Sequence, residues 1–141
     1  MAAPSDTISV KSIPAKSFAD LVRDGDKHRA MGTAVMLEAA VKAYKEAAGL
    51  EPQNPKAFEG MGKALFMLDD YAGAEDAFTK AYALEKSTSN ARELAKALIM
   101  LGKAEDVRKL FKKIGADPDV ALAQATTELM RDGKRVPDEL T

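Results

Sequence analysis

The chain has 141 residues, of which 46% are hydrophobic and 30% charged, a composition typical of one globular domain rather than of a disordered segment. Its 21 Lys and Arg residues nearly balance 22 Asp and Glu residues, and a net charge of −1 argues against nucleic acid or an anionic membrane as the main partner. The absence of cysteine excludes disulfides, thiolate metal sites and a catalytic thiol, and one histidine excludes a multi-histidine metal site.

The first 15 residues combine Pro4 and Pro14 with a polar segment that has no helical period. They lack the basic start and apolar run of a secretory signal, and no stretch approaches the roughly 20 apolar residues that cross a bilayer. We therefore expect residues 1–15 to form a flexible or extended arm. We also expect a cytoplasmic protein without membrane insertion.

The rest of the sequence predicts helices only, because alanine is abundant and β-branched residues are sparse. Seven helices are predicted, near 17–31, 34–48, 55–68, 71–84, 90–101, 104–114 and 118–131. Their predicted N-caps are Ser17, Asn54, Asp70 and Asp117. Glycines are placed where helices should end, at Gly49, Gly102, Gly115 and Gly133. Residues 133–141 are expected to be a frayed C-terminal tail.

The helical region repeats itself. Ala74 and Phe78 correspond to Ala40 and Tyr44 at a spacing of 34, and Phe111 follows Phe78 at a spacing of 33. Small residues at 62 and 74 should let two helices approach closely, with the ring at 78 filling the space between one helix pair and the next. Because one pair cannot bury both of its faces, the pairs must stack.

This pattern resembles the tetratricopeptide repeat (TPR). The first-helix motif of that family appears as Phe58, Met61, Gly62 and Leu65, and the second-helix motif as Ala74, Phe78 and Ala81. The resemblance covers about residues 18–118. It implies an all-α fold, a short right-handed α-solenoid of about three TPR-like helix pairs plus a C-terminal capping helix. The implied domain spans 16–132, with repeats at about 17–52, 55–86 and 89–117 and the capping helix at 118–131.

The first repeat departs from the TPR spacing. Gly25 and Gly32 keep the distance of the two glycines of the family, but eight residues instead of five lead from Gly32 to Ala40. Three extra residues are just under one helical turn. We therefore expect one helix of this repeat to be longer than its counterparts.

Few residues suggest catalysis. His28 lies near Asp24 and Asp26 and could act as a general base, but a solvated or half-buried helical histidine is the simpler interpretation. No nucleophile motif or phosphate-binding loop is present. Aspartates at 69–70 and 117–119 fit helix caps better than a metal site. We expect no enzyme activity, no catalytic residue, no cofactor and no metal.

In TPR proteins the first helix of each pair lines a concave face, and the resemblance therefore implies a groove that binds a peptide segment of another protein. The expected groove residues are Arg29, Lys56, Glu59, Lys63, Phe66, Met67, Arg92, Lys96, Ile99 and Met100. Net positive charge over an apolar floor suits an acidic segment with apolar anchors, and methionines suit an adaptable surface. The charges could equally form a solvated face, with the methionines filling the core.

Some TPR proteins hold the C-terminal carboxylate of a chaperone tail with Lys, Asn and Arg side chains. The matching positions here are Val22, Asp26, Gly60, Ser89 and Glu93, and none fits. The predicted function is therefore a non-catalytic adaptor or scaffold that is not a chaperone-tail clamp.

Two alternatives remain open. The protein could be a structural subunit that forms homo-oligomers through its terminal helices or its N-terminal arm. It could also be an RNA-binding helical repeat, although the acidic net charge and the lack of interleaved aromatic residues favour this less. The basic residues that motivate the RNA hypothesis are Lys103, Arg108, Lys109, Lys112 and Lys113.

Overall fold

A computed structural model describes residues 15–138, and in this range the chain is all-helical, as the sequence predicts. Seven α-helices and no β-strand occur within these residues. The helices are α1 Phe18–Met31, α2 Ala34–Leu50, α3 Pro55–Met67, α4 Tyr71–Leu84, α5 Thr88–Met100, α6 Ala104–Lys113 and α7 Pro118–Arg131. The predicted N-terminal arm lies outside the described residues except for Ala15.

The predicted N-caps are confirmed. Ser17 starts α1 with a capping box, in which its Oγ accepts a hydrogen bond from the N–H of Asp20 at 3.1 Å and its own N–H donates to the Asp20 carboxylate at 3.2 Å. Side-chain oxygens of three other residues accept from the first turns of α3, α4 and α7: Asn54, Asp70 and Asp117. The start of α5 lies at Thr88 rather than 90, because Ser87 Oγ accepts the N–H of Asn90 at 3.1 Å.

Three of the four glycines predicted to end helices have a positive φ just beyond a helix: Gly102, Gly115 and Gly133. The prediction for Gly49 is wrong, since α2 continues through it to Leu50. Helical hydrogen bonding extends past Gly49 because the N–H of Glu51 still donates to the carbonyl of Ala47 at 3.0 Å.

The helices form a layered arrangement. Each helix packs against the next one in the chain. The odd-numbered helices also contact one another in order, α1 with α3, α3 with α5 and α5 with α7. The odd-numbered helices therefore make a continuous layer along one side of the helical body.

The recurring aromatic residues Tyr44, Phe78 and Phe111 are all buried. Backbone approaches two of these rings so closely that only glycine fits. A Cβ at Gly25 would lie 2.6 Å from the ring of Tyr44, one at Gly60 would also collide with that ring, and one at Gly62 would lie 2.5 Å from Phe78. The predicted close approach of helices beside Phe78 is thus present, and Tyr44 has a glycine on α1 and another on α3.

The first helix pair explains the irregular spacing seen in the sequence. Gly32 has φ of 75° and ends α1, between the predicted helices 17–31 and 34–48. The predicted longer helix is α2, which has 17 residues against 14 in α4.

The end of the described chain is not frayed. Residues 132–138, called the C-terminal strap, follow α7 and lie against the helices. Val136 is 6% exposed and belongs to the same buried cluster as Ala125 and Leu129 of α7. The expected frayed tail is therefore wrong for the described part, because an apolar side chain in it joins the core.

Candidate functional site

Two adjoining cavities on the layer of odd-numbered helices form what is called the groove. The first cavity, of about 180 Å³, lies between α1 and α3. The second, of about 210 Å³, is bordered by α1, α3, α5, α7 and the C-terminal strap. Arg29 and Lys63 line both cavities, so the groove is continuous across α1 and α3.

The second cavity combines apolar and charged side chains. Its apolar residues are Phe66, Met67 and Leu129; Met67 is 46% exposed, whereas Leu129 is buried in the core behind the cavity. Around them lie more cations than carboxylates, with Arg29, Lys63, Lys96 and Lys134 against Glu93 and Asp132. Three of these cations already pair with carboxylates in or beside the cavity, so it offers apolar contact area next to one cation, Lys63, that has no ion pair within residues 15–138.

A buried tyrosine supports the α1 side of the groove. The hydroxyl of Tyr44 donates to Asp26 Oδ1 at 2.5 Å and accepts from Arg29 Nε at 3.2 Å, while Arg29 Nη2 lies 3.5 Å from the same Asp26 oxygen. Burial raises the pKa of Tyr44 to about 12, and the hydrogen bond to Asp26 acts in the same direction. Tyr44 therefore remains a neutral donor at pH 7 and holds both charged side chains in place.

The cations of the groove differ in how far they are already neutralised. Lys96 Nζ lies 3.8 Å from a carboxylate oxygen of Glu93 and 3.8 Å from one of Glu128. Lys63 is exposed and forms no hydrogen bond or ion pair with any residue in 15–138. Among the rim cations, Lys63 is therefore the most available to an anionic group.

The structure distributes the ten predicted groove residues over several places. Five of them surround the second cavity: Arg29, Lys63, Phe66, Met67 and Lys96. Lys56 and Glu59 line the first cavity. Arg92 lies instead in a separate depression of about 430 Å³ between α5 and α7.

Two predicted groove residues do not line the groove. Ile99 is fully buried, so its expected place on a binding surface is wrong. Met100 is half-buried and packs against the core cluster that contains Ile99. The apolar side chains at the C-terminal end of α5 pack in the core cluster that also contains Ala125 and Leu129 of α7.

Sequence reasoning missed four residues of the second cavity: Glu93, Leu129, Asp132 and Lys134. Leu129 was identifiable only as part of the apolar face of α7. Asp132 and Lys134 follow the last helix, where no periodic pattern extends. Their position depends on the strap folding back, which only tertiary packing shows.

The environment of His28 does not favour proton transfer. Its Nδ1 is buried and has no hydrogen-bond partner in residues 15–138. Asp24 is bound by Lys16 at 2.6 Å, and Asp26 is bound by Tyr44. Within residues 15–138, neither carboxylate forms a hydrogen bond with the imidazole.

The basic cluster on α6 is partly neutralised. Lys103 pairs with Glu75 at 2.8 Å, and Arg108 pairs with both Glu105 at 2.8 Å and Asp119 at 3.0 Å. Three exposed lysines remain, at Lys109, Lys112 and Lys113. The positive surface is therefore smaller than the sequence alone indicates.

Within residues 15–138, no three Asp, Glu or His side chains come together as a group that could hold a metal. The aspartates singled out in the sequence have other partners, since Asp70 and Asp117 cap helices while Asp69 and Asp119 pair with Lys134 and Arg108. None of the helices in this range has the length and apolar character needed to span a membrane.

Comparison with known proteins adds no assignment. No protein-family model matches the sequence, and a search of curated proteins finds no significant match. The resemblance to the TPR family therefore stays a prediction from the sequence, and the function is argued from the groove itself.

Proposed function

We propose that this chain is a non-catalytic, TPR-type interaction module whose groove binds a peptide segment of a partner protein, and that it acts in the cytoplasm. The proposed fold of the module is the short right-handed α-solenoid of about three helix pairs with α7 as the capping helix. The row of contacts among odd-numbered helices supports this arrangement.

The observation that carries the proposal is the second cavity. Side chains from four helices and the strap meet around the half-buried Phe66 and the exposed Met67, beside Lys63, which has no ion pair within residues 15–138. A ligand complementary to this surface presents a large apolar side chain next to acidic residues. An extended or helical peptide can present both.

The apolar contacts and the ion pairs contribute differently to the free energy of peptide binding. Burying one large apolar side chain contributes about 1.5–3 kcal/mol, whereas an exposed ion pair contributes about 0.2–1 kcal/mol. We therefore expect the apolar anchor to supply most of the affinity. The cations select acidic sequences and speed up association.

The test begins with a random peptide library selected on the purified protein. We expect the bound peptides to be enriched in Asp or Glu beside a large apolar residue. The affinity of one selected peptide is then measured by fluorescence anisotropy. Lys63→Glu replaces attraction with repulsion and should weaken binding about tenfold.

The matched control is Lys112→Glu, which makes the same charge change at an exposed position on α6, outside the groove. Its affinity should stay within about twofold of the parent, because an exposed charge that does not line the groove contributes little to binding. Peptides without acidic residues, or equal losses in both variants, would contradict a groove that selects acidic ligands.

A further inference from the structure

The C-terminal strap is fixed to the helical body at two places. At its start, Gly133 has φ of 81° and the N–H of Lys134 donates to the carbonyl of Leu129 at 2.9 Å, which ends α7 and turns the chain back. Further on, Val136 is buried in the core cluster. The strap therefore has a defined path beside the groove.

Between these two points, Lys134 reaches the turn that joins α3 to α4. Its Nζ donates to Asp69 Oδ1 at 2.9 Å and to the Tyr71 hydroxyl at 3.4 Å. The ammonium also lies 5.1 Å from the centroid of the Phe66 ring and 5.6 Å from that of Tyr71. The hydrogen bond to Asp69 joins residues that are 65 positions apart in the chain.

The same contacts restrain the Phe66 ring, which belongs to the groove. Phe66 and Tyr71 are packed edge to face, with centroids 5.0 Å apart and an interplanar angle of 67°. Lys134 lies over both rings and holds Tyr71 through its hydroxyl. The orientation of the apolar surface that a ligand would meet thus depends on a residue outside the repeats.

The charge state of this cluster is well defined. The hydrogen bond from Lys134 lowers the pKa of Asp69, so the carboxylate is ionised at neutral pH. Burial alone would lower the pKa of Lys134, but its hydrogen bonds to Asp69 and Tyr71 outweigh burial and raise it. The ammonium over the two rings is therefore permanent under physiological conditions.

The strap forms a wall of the groove and does not fill it. The second cavity retains about 210 Å³ with the strap in place, and Asp132, Lys134 and Leu129 are part of its lining. A strap that occupied the site as an internal competitor would leave no such space beside Phe66 and Met67.

We propose that the C-terminal strap is part of the peptide-binding site, with Lys134 as a positioning residue that sets the Phe66 ring against the apolar anchor of an acidic peptide. This inference rests on the proposed function. It assigns the apolar anchor of the peptide to Phe66 and Met67, and an acidic residue of the peptide to Lys63.

The binding test uses the full chain and a peptide selected on it. Lys134→Met keeps the length of the side chain but removes the ammonium, and we expect about fivefold weaker binding. Lys134→Arg keeps a cation over the rings and should bind within about twofold of the parent. The matched control is Arg135→Met, which removes a charge from the next residue of the strap. Arg135 is exposed and does not line the cavity, so binding should also stay within about twofold.

A double-mutant cycle separates positioning from general electrostatics. Replacing the apolar anchor of the peptide with Ala should abolish most of the difference between the parent and Lys134→Met, because both changes remove the same contact with Phe66. Replacing an acidic residue of the peptide should leave that difference intact. Three outcomes would each overturn the inference. The effect of Lys134→Met could couple to the acidic residue of the peptide instead of the anchor, Lys134→Met and Arg135→Met could weaken binding equally, or Lys134→Met could bind more tightly than the parent.

A second measurement does not depend on any peptide. In methyl NMR spectra of the free protein, Lys134→Met should shift the methyl signals of Met67 and Leu129, whereas Arg135→Met should not. Unshifted signals overturn the inference even if peptides bind. Shifted signals in a protein that selects no peptide would contradict the proposed function while showing that the strap shapes the cavity.

Discussion

Tyr44 and Phe78 occupy equivalent places in successive helix pairs, yet only Tyr44 connects the core to the groove. Both rings are buried, and both lie against a glycine of the preceding helix. The Tyr44 hydroxyl continues to Asp26 and Arg29, which line the groove. Phe78 belongs to a cluster of apolar residues around α5 and makes no such connection.

The difference shows how one packing position can serve two purposes. At the Phe78 junction, stability depends on filling volume. At the Tyr44 junction, the same volume is filled, and a hydrogen bond from the ring fixes the charged side chains of the binding surface. Changes at the two positions should therefore be separable by their size and by their dependence on pH.

The largest effect is expected for the apolar junction. Phe78→Ala should lower the free energy of unfolding by about 3–5 kcal/mol, because the truncated side chain leaves a cavity in the largest core cluster. Urea denaturation followed by circular dichroism measures this loss. Phe58→Ala makes the same chemical change at a half-buried residue, and its effect should be clearly smaller.

The polar junction should respond to pH. The folded-state pKa of Tyr44 is raised from 10.0 to about 12, so its contribution to stability is fully present below about pH 10 and is lost as the pH rises towards 12. A shift of about two units corresponds to roughly 2–3 kcal/mol. Tyr44→Phe removes this titration. It also removes the hydrogen bond from the hydroxyl to the Asp26 carboxylate, which should lower the free energy of unfolding by about 1.5 kcal/mol at pH 7.

The parent should therefore be more stable than Tyr44→Phe at pH 7, and the order should reverse near pH 12. Both proteins titrate the same lysines, so the difference between their unfolding free energies isolates Tyr44. A difference that stays constant from pH 9 to pH 12 would show that the hydroxyl is not buried against Asp26.

The smallest effects concern glycines. Gly25→Ala should destabilise the protein by about 1–3 kcal/mol, because its Cβ would lie 2.6 Å from the buried Tyr44 ring. Gly49→Ala makes the same substitution within α2, where no atom lies within 4 Å of the added Cβ. It should stabilise by about 0.5–1 kcal/mol, as alanine favours helix more than glycine does.

Thermal melts of the two variants measure these opposite signs, with Gly49→Ala as the control for helix propensity. Equal stabilisation in both would mean that α1 and α2 do not approach as closely as described. Destabilisation in both would point to a role of Gly49 that the open space around it does not explain.

Much of the helical framework was predictable from local signals. Caps such as Ser17 and Asn54 act within one turn, and the recurrence of Tyr44, Phe78 and Phe111 follows from a repeating packing position. The prediction at Gly49 was wrong because glycine allows a helix to end but does not make it end. Gly32 ends α1 at the turn that the predicted helix bounds leave between 31 and 34.

The groove was predictable only where it follows the repeats. Lys63, Phe66 and Met67 lie where the α3 periodicity places them. Ile99 has an equivalent position in α5, but α7 and the core cover that part of the helix. Lys134 was not predictable, because its contacts with the α3–α4 turn depend on a long-range return of the chain.

The contact between the C-terminal strap and the α3–α4 turn also affects the order of folding. Most helix contacts join neighbours in the chain, and contacts at short sequence separation form early and fast. The hydrogen bond from Lys134 to Asp69 closes a loop of 65 residues. It can therefore form only after α3 and α4 have packed and fixed the position of Asp69. Docking of the strap is therefore expected to come late and to slow unfolding more than it speeds folding. A helical body whose repeats have already packed would acquire the last wall of its groove only when the strap docks.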